Sequence, residues 1–233
     1  MNFDVARENM IQGQILPNMV YDQRVIEVMK ELPREEFFLD SQKPLAYLDS
    51  NIDVGDGRYS MEPRILARLI QSAHIISTDI ILSIGCALGY SVAVLARLGS
   101  TVFAVENNKA LADHAARSFD KLGINNVVII AGDPTTGYSE QAPYDVIFAD
   151  GAITAIPDTI ANQLAEGGRL VGVVKTGKTG KATLMTRHKG VCSRRLLFDA
   201  SVPVLDGFED SNKFVFYGPH SLIANHQIGL SRK

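Results

Sequence analysis

Gly85-Cys86-Ala87-Leu88-Gly89 is a turn of small residues set between an apolar run, Ile80–Ile84, and an amphipathic stretch, Ser91–Leu98. A second apolar run, Thr101–Val105, ends on Glu106. A third, Val127–Ala131, ends at Gly132-Asp133, and a fourth, Tyr144–Ala149, ends at Asp150. Glycines let the backbone approach a ligand where a Cβ would collide with it. A carboxylate about twenty residues past such a turn is placed to accept hydrogen bonds from both hydroxyls of a ribose. Asp133 can accept from an exocyclic adenine amine, and Asp150 opens the loop nearest the expected reaction point. Strand, glycine turn, helix, strand and terminal acid in register describe a mononucleotide-binding βαβ unit. Each carboxylate taken singly also fits a solvated strand-end acid or a helix cap.

The elements that must position these groups read as an α/β fold, a Rossmann-like doubly wound and mostly parallel sheet. Continuous apolar runs such as Val127-Val128-Ile129-Ile130 are what strands buried on both faces look like. Helices are expected over Ser91–Leu98, Lys109–Leu122 and Pro157–Leu164, with a further strand over Arg169–Val174. After Gly180 the pattern is strand-rich, with Ala182–His188, Ser193–Ala200 and Lys213–Tyr217 as antiparallel C-terminal strands. The N-terminal residues form a helical appendage. Phe3, Ala6, Met10, Ile11 and Ile15 recur at helical spacing before Pro17, and Asp22 can cap a helix carrying Val25, Ile26, Met29 and Leu32. Residues 37–58 are irregular, and another helix is expected to start near Glu62-Pro63. The division this predicts is a cap over 1–75, a ligand-binding domain over 76–217 and a polar tail over 218–233.

The chain of 233 residues is 46% hydrophobic and 21% charged, and its net charge of −3 supplies no global field for nucleic acid or an anionic membrane. Its two cysteines, Cys86 and Cys192, form no zinc-ligand pattern, and its five histidines show no ligand spacing, so no metal site is expected. Thiols without pairing logic, no apolar signal core and no membrane-length run predict a cytoplasmic protein. Gly172-Val173-Val174-Lys175-Thr176-Gly177-Lys178-Thr179 matches a nucleotide-phosphate pattern, but its first glycine lies within an apolar strand. The residues after it have strand rather than helix character, so a hairpin turn is expected. Arg187-His188-Lys189 and Arg194-Arg195 form a small basic cluster across a second hairpin, expected to be solvated.

From about Gly13 to Phe216 the chain resembles the protein-L-isoaspartate O-methyltransferase family. The matching residues include Asp22-Gln23-Arg24-Val25-Ile26, Leu32-Pro33-Arg34, Ala46-Tyr47, Gly55 with Gly57, the glycine turn, and Gly132-Asp133. They continue through Ala142-Pro143-Tyr144-Asp145, Ile156-Pro157, Gln163-Leu164 and Gly167-Gly168-Arg169-Leu170 to Phe198-Asp199-Ala200 and Gly207-Phe208. The resemblance implies S-adenosyl-L-methionine as cofactor, held around Gly85, Cys86, Ala87, Gly89, Glu106, Asn107, Gly132, Asp133 and Asp150. It also implies a protein or peptide substrate whose isoaspartyl carboxylate accepts the methyl group, a protein-repair activity. A carboxylate with a pKa near 4 is already ionised at pH 7, so desolvation and aim matter more than a general base.

The acceptor side departs from the family. There a Thr-Ile-Ser run precedes the proline matched by Pro63, and its serine positions the acceptor carboxylate. Gap-free alignment puts Met61 at that serine and Ser60 one position earlier, and a thioether cannot donate a hydrogen bond. Ser83 replaces the acid that usually opens the glycine motif, and Ala87 replaces its middle glycine. Asp150 adds a carboxylate that would repel an anionic substrate. Ser60, Met61 and Asp150 are therefore the expected acceptor-positioning residues. The alternative is a divergent member that keeps the fold as a cofactor-binding or assembly protein.

Overall fold

The computed structural model describes residues 1–209. The expected strand Lys213–Tyr217 and the polar tail lie outside the described residues. Helix α1 spans Phe3–Met10, capped by the Asn2 side chain, and continues as a π-helical turn, Ile11–Ile15, and a short 3-10 turn, Leu16–Asn18. Asp22 caps α2, Gln23–Glu31, by accepting from the Arg24 N–H at 3.0 Å. Strands β1, Ile52–Gly55, and β2, Arg58–Ser60, form an antiparallel hairpin that begins within the stretch expected to be irregular and runs two residues past it. Its signal is weak because the strands are short, the pairing register shifts between Asp53 and Gly55, and the turn is glycine-rich. Helix α3, Pro63–Ala73, begins at the expected proline.

The main sheet alternates strands and helices. In order they are β3, Ile80–Ile84; α4, Tyr90–Leu98; β4, Thr101–Glu106; α5, Lys109–Lys121; β5, Val127–Ala131; and β6, Tyr144–Ile153. Then follow α6, Asp158–Ala161; β7, Leu164–Thr176; β8, Thr179–His188; and β9, Val191–Asp199. Helix α6 is shorter than its apolar pattern suggests, since β7 already pairs at Leu164, opposite Tyr144. The order across the sheet is β5-β4-β3-β6-β7-β8-β9, parallel from β5 to β7 and antiparallel at β8 and β9. The residues matching a phosphate loop form the β7–β8 hairpin, with Thr176 opposite Thr179 and Gly177 in the left-handed region, so no helix N-terminus faces that turn. His188 and Lys189 at the end of β8 are exposed, as are Arg194 and Arg195 on β9, while Arg187 is half-buried and donates to the Leu164 carbonyl at 3.2 Å.

Register brings the chemical groups together. Ile84 pairs with Val105 on one side and Ala149 on the other, so Gly85, Glu106 and Asp150 follow at one level of the sheet. Glu106 in turn pairs with Ala131, just before Gly132. Strand order reverses between β3 and β6, the place where open α/β sheets bind ligands. One apolar core joins Met10, Ile15 and Met29 of the N-terminal helices to Leu66, Val92 and Phe148.

Candidate functional site

The chain leaves β3 through Gly85 at φ 72°, Ala87 at φ 43° and Gly89 at φ 92°. Such angles suit glycine, and Ala87 carries a Cβ there at an energetic cost. Gly89 is required twice over: a Cβ would lie 2.8 Å from Phe119 Cζ and 2.9 Å from Ala115 Cβ. Cys86 is buried in this turn, and burial pushes its thiol well above the ordinary range, which makes it a packing residue rather than a nucleophile.

The Glu106 carboxylate is the electrostatic centre of the site. Its Oε2 accepts from the backbone N–H groups of Cys86 at 3.0 Å and Ala87 at 2.9 Å, and its Oε1 accepts from Asn108 N–H at 3.0 Å. Both oxygens are also forked by Arg58, whose Nη1 lies 2.5 Å from Oε1 and whose Nη2 lies 2.9 Å from Oε2. The side chains of this pair are 5% and 0% exposed, so the pair is sealed from water. Asn107 Oδ1 accepts from Arg58 Nη1 at 3.2 Å, and its Nδ2 donates to Asp206. Asp133 is exposed and uses Oδ1 to hold its own turn, accepting from Thr135 N–H and Oγ1, each at 2.8 Å.

Beside the glycine turn, Ser60, Met61 and Asp150 share the wall of one narrow cavity of about 10 Å³ with Arg34, Tyr90 and Ser91. That is scarcely room for a water molecule. Arg34 is fully buried; its Nε donates to Ala46 O at 2.7 Å, and its Nη2 donates to Ser60 Oγ at 3.0 Å and Met61 O at 2.8 Å. Its guanidinium carbon lies 4.5 Å from the Tyr90 ring centroid. Burial pushes the Asp150 carboxyl up to about 6, against the opposing influence of the Ser91 hydroxyl bond, Arg58 and Arg34. Among the residues lining this cavity Arg34 Nη1, Tyr90 Oη and Asp150 Oδ1 are buried without a partner. Unpaired donors and an unpaired acceptor around one chamber are what a polar ligand or water satisfies.

Ser60 and Arg58 alternate with Tyr59 on β2 and both are buried, and the pairing irregularity between Asp53 and Gly55 falls on β1, across from the Arg58–Tyr59 step. Met61, just past the strand, is also buried and lines the same wall. The structure therefore unites Ser60, Met61 and Asp150, and brings in Arg34, Tyr90 and Ser91 as well. It also adds Arg58, which no spacing pattern marks.

Residues 5–205 match the family described as protein-L-isoaspartate(D-aspartate) O-methyltransferase (PCMT). A protein-L-isoaspartate O-methyltransferase 1 of Syntrophobacter fumaroxidans is 37% identical over 171 residues, spanning 73% of this chain and 80% of the relative. A solved protein-L-isoaspartate O-methyltransferase superposes with a TM-score of 0.75 at 28% identity, covering 86% of this chain and 66% of that one. A Plasmodium falciparum member of that class, solved with S-adenosyl-L-homocysteine, shares the fold with a TM-score of 0.74 at 19% identity over 88% of this chain and 98% of its own. With its glycine turn, strand-end acid and sheet order in place, this chain belongs to the protein-L-isoaspartate(D-aspartate) O-methyltransferase family, whose cofactor is S-adenosyl-L-methionine.

Proposed function

We propose that this chain transfers a methyl group from S-adenosyl-L-methionine to the side-chain carboxylate of an isoaspartyl residue in a protein or peptide. The observation that carries the proposal is the shared chamber of Ser60 and Asp150, walled in part by a glycine turn whose N–H groups converge on Glu106. The site fits the cofactor in its donor set: a strand-end carboxylate for the ribose hydroxyls, left-handed glycines for close backbone approach, and Asp133 for an exocyclic amine. S-Adenosyl-L-methionine supplies an electrophilic methyl on a sulfonium centre when bound. The protein's share is orientation and dehydration. Ser60 accepts from Arg34, which leaves its own O–H free to donate to an acceptor carboxylate. Met61 and Leu66, in the same wall, contribute the dry surface that strips water from that carboxylate.

Asp150 sets the pH at which this arrangement works. Protonated below about 6, it is a neutral neighbour that can donate to an anion; ionised, it repels one. Calorimetric titration with S-adenosyl-L-methionine and S-adenosyl-L-homocysteine tests the cofactor half of the proposal, which requires saturable binding of both. Absence of heat at millimolar ligand overturns it. The second reading, a binding or assembly protein, is favoured by one observation: Arg58 occupies the face of Glu106 that a ribose would use.

A further inference from the structure

We infer that Arg58 is a gate: it occupies the ribose-binding face of Glu106 in the closed protein and swings toward Asp56 and Asp206 when cofactor enters. The inference rests on the cofactor assignment proposed above. Three backbone N–H groups already hold the inner side of the Glu106 carboxylate, and the remaining side is taken by the two parallel N–H donors of Arg58. A guanidinium fork and a vicinal diol make the same demand on a carboxylate, two donors to two oxygens, so one excludes the other. The glycine turn is filled as well. A Cβ at Gly85 would lie 3.0 Å from Arg58 Nη2 and 3.0 Å from Leu205 Cδ2, so the space a close-approaching ligand would use holds these two side chains.

The guanidinium has a destination. A surface pocket of about 250 Å³ adjoins it, lined by Asp56, Arg58, Asn107, Asn108 and Asp206. Asp56 and Asp206 are both exposed, each tethered by one amide: Asn108 Nδ2 to Asp56 at 2.9 Å and Asn107 Nδ2 to Asp206 at 3.0 Å. A cation leaving Glu106 would thus exchange one carboxylate for two, in water, with no charge stranded. The backbone supplies the pivot. Gly55, Asp56 and Gly57, the turn immediately before Arg58, lie at φ 97°, 52° and 70°, and the strand that follows is only Arg58–Ser60. Departure of Arg58 also removes a cation from the cleft that a sulfonium cation must enter.

A gate lowers apparent affinity by the fraction of molecules that are open. Titrations with S-adenosyl-L-homocysteine, with stopped-flow association rates, test this on wild type, Arg58→Ala and the doubly substituted Asp56→Asn/Asp206→Asn protein. Arg58→Ala is expected to bind at least tenfold tighter and to associate faster. The double variant, altered only at exposed positions, is expected to bind at least threefold weaker because its open state has lost its partners. Equal or weaker binding by a folded Arg58→Ala protein overturns the gate, as does wild-type affinity in the double variant. If neither wild type nor Arg58→Ala binds, the cofactor assignment itself fails.

Discussion

The Ser91 hydroxyl donates to one carboxylate oxygen of Asp150, while the other oxygen is buried without a partner. One hydrogen bond does not offset burial, and the carboxyl is pushed up to about 6 from an ordinary 3.8. The native state therefore holds this proton more tightly than the unfolded chain does. Its contribution to stability is complete below pH 4 and is lost as pH rises through 6, by about 3 kcal/mol from a shift of this size. Asp150→Asn should not show this loss. Urea melts of both proteins between pH 4 and 7 should reveal a stability difference that grows over the lower part of that range and is constant above it. A pH-independent difference would contradict the assignment.

Removing Glu106 breaks a buried ion pair from one side and leaves the backbone N–H groups of Cys86, Ala87 and Asn108 without their acceptor. Glu106→Ala should cost about 3–5 kcal/mol of stability, the range for breaking a buried pair from one side. The combined Arg58→Ala/Glu106→Ala protein should recover part of that loss. A double-mutant cycle by denaturant unfolding measures the coupling. Additive losses would show that the two charges do not depend on each other.

Ala87 stands at φ 43° within the glycine turn. An L-residue there carries a strain of about 1–2 kcal/mol that glycine escapes, although the more flexible unfolded chain returns part of it. Ala87→Gly should therefore raise the urea midpoint, with a gain near 1 kcal/mol. A lower midpoint would mean that the Ala87 methyl packs well enough to outweigh its backbone strain.

Strands β3, β4 and β5 were legible because each is a short apolar run ending at a glycine or an acid. Strand β6 does not stop at Asp150 as expected but runs on to Ile153, because Ala152 and Ile153 pair with Val173 and Val174 of β7. Glu106 could be placed from that pattern alone, and register then set it beside Gly85 and Asp150. Its partner could not. Arg58 lies 48 residues earlier, in a hairpin whose strands are too short and too irregular for alternation to show. Arg34 was visible only as part of a family match; its role depends on the packing of Tyr90 and the carbonyls of Ala46 and Met61, which no local period encodes. Residues 58–60 explain why a one-residue offset did not remove Ser60 from the site. Ser60 is the inward residue of β2, and Met61 reaches the same wall because the chain turns there into α3.

Methyl transfer itself is the most direct measurement. S-Adenosyl-L-methionine labelled in its methyl group is supplied with a peptide containing one isoaspartyl residue, and separately with the matched aspartyl peptide, at pH 6. Base-labile label is expected on the isoaspartyl peptide alone. Ser60→Ala should reduce the rate on the order of a hundredfold, the scale for losing one oriented donor, with cofactor affinity unchanged. Met61→Ser, which places a second hydroxyl in the same wall, should raise it. No label on the isoaspartyl peptide with cofactor bound, or full activity in Ser60→Ala, would contradict the account.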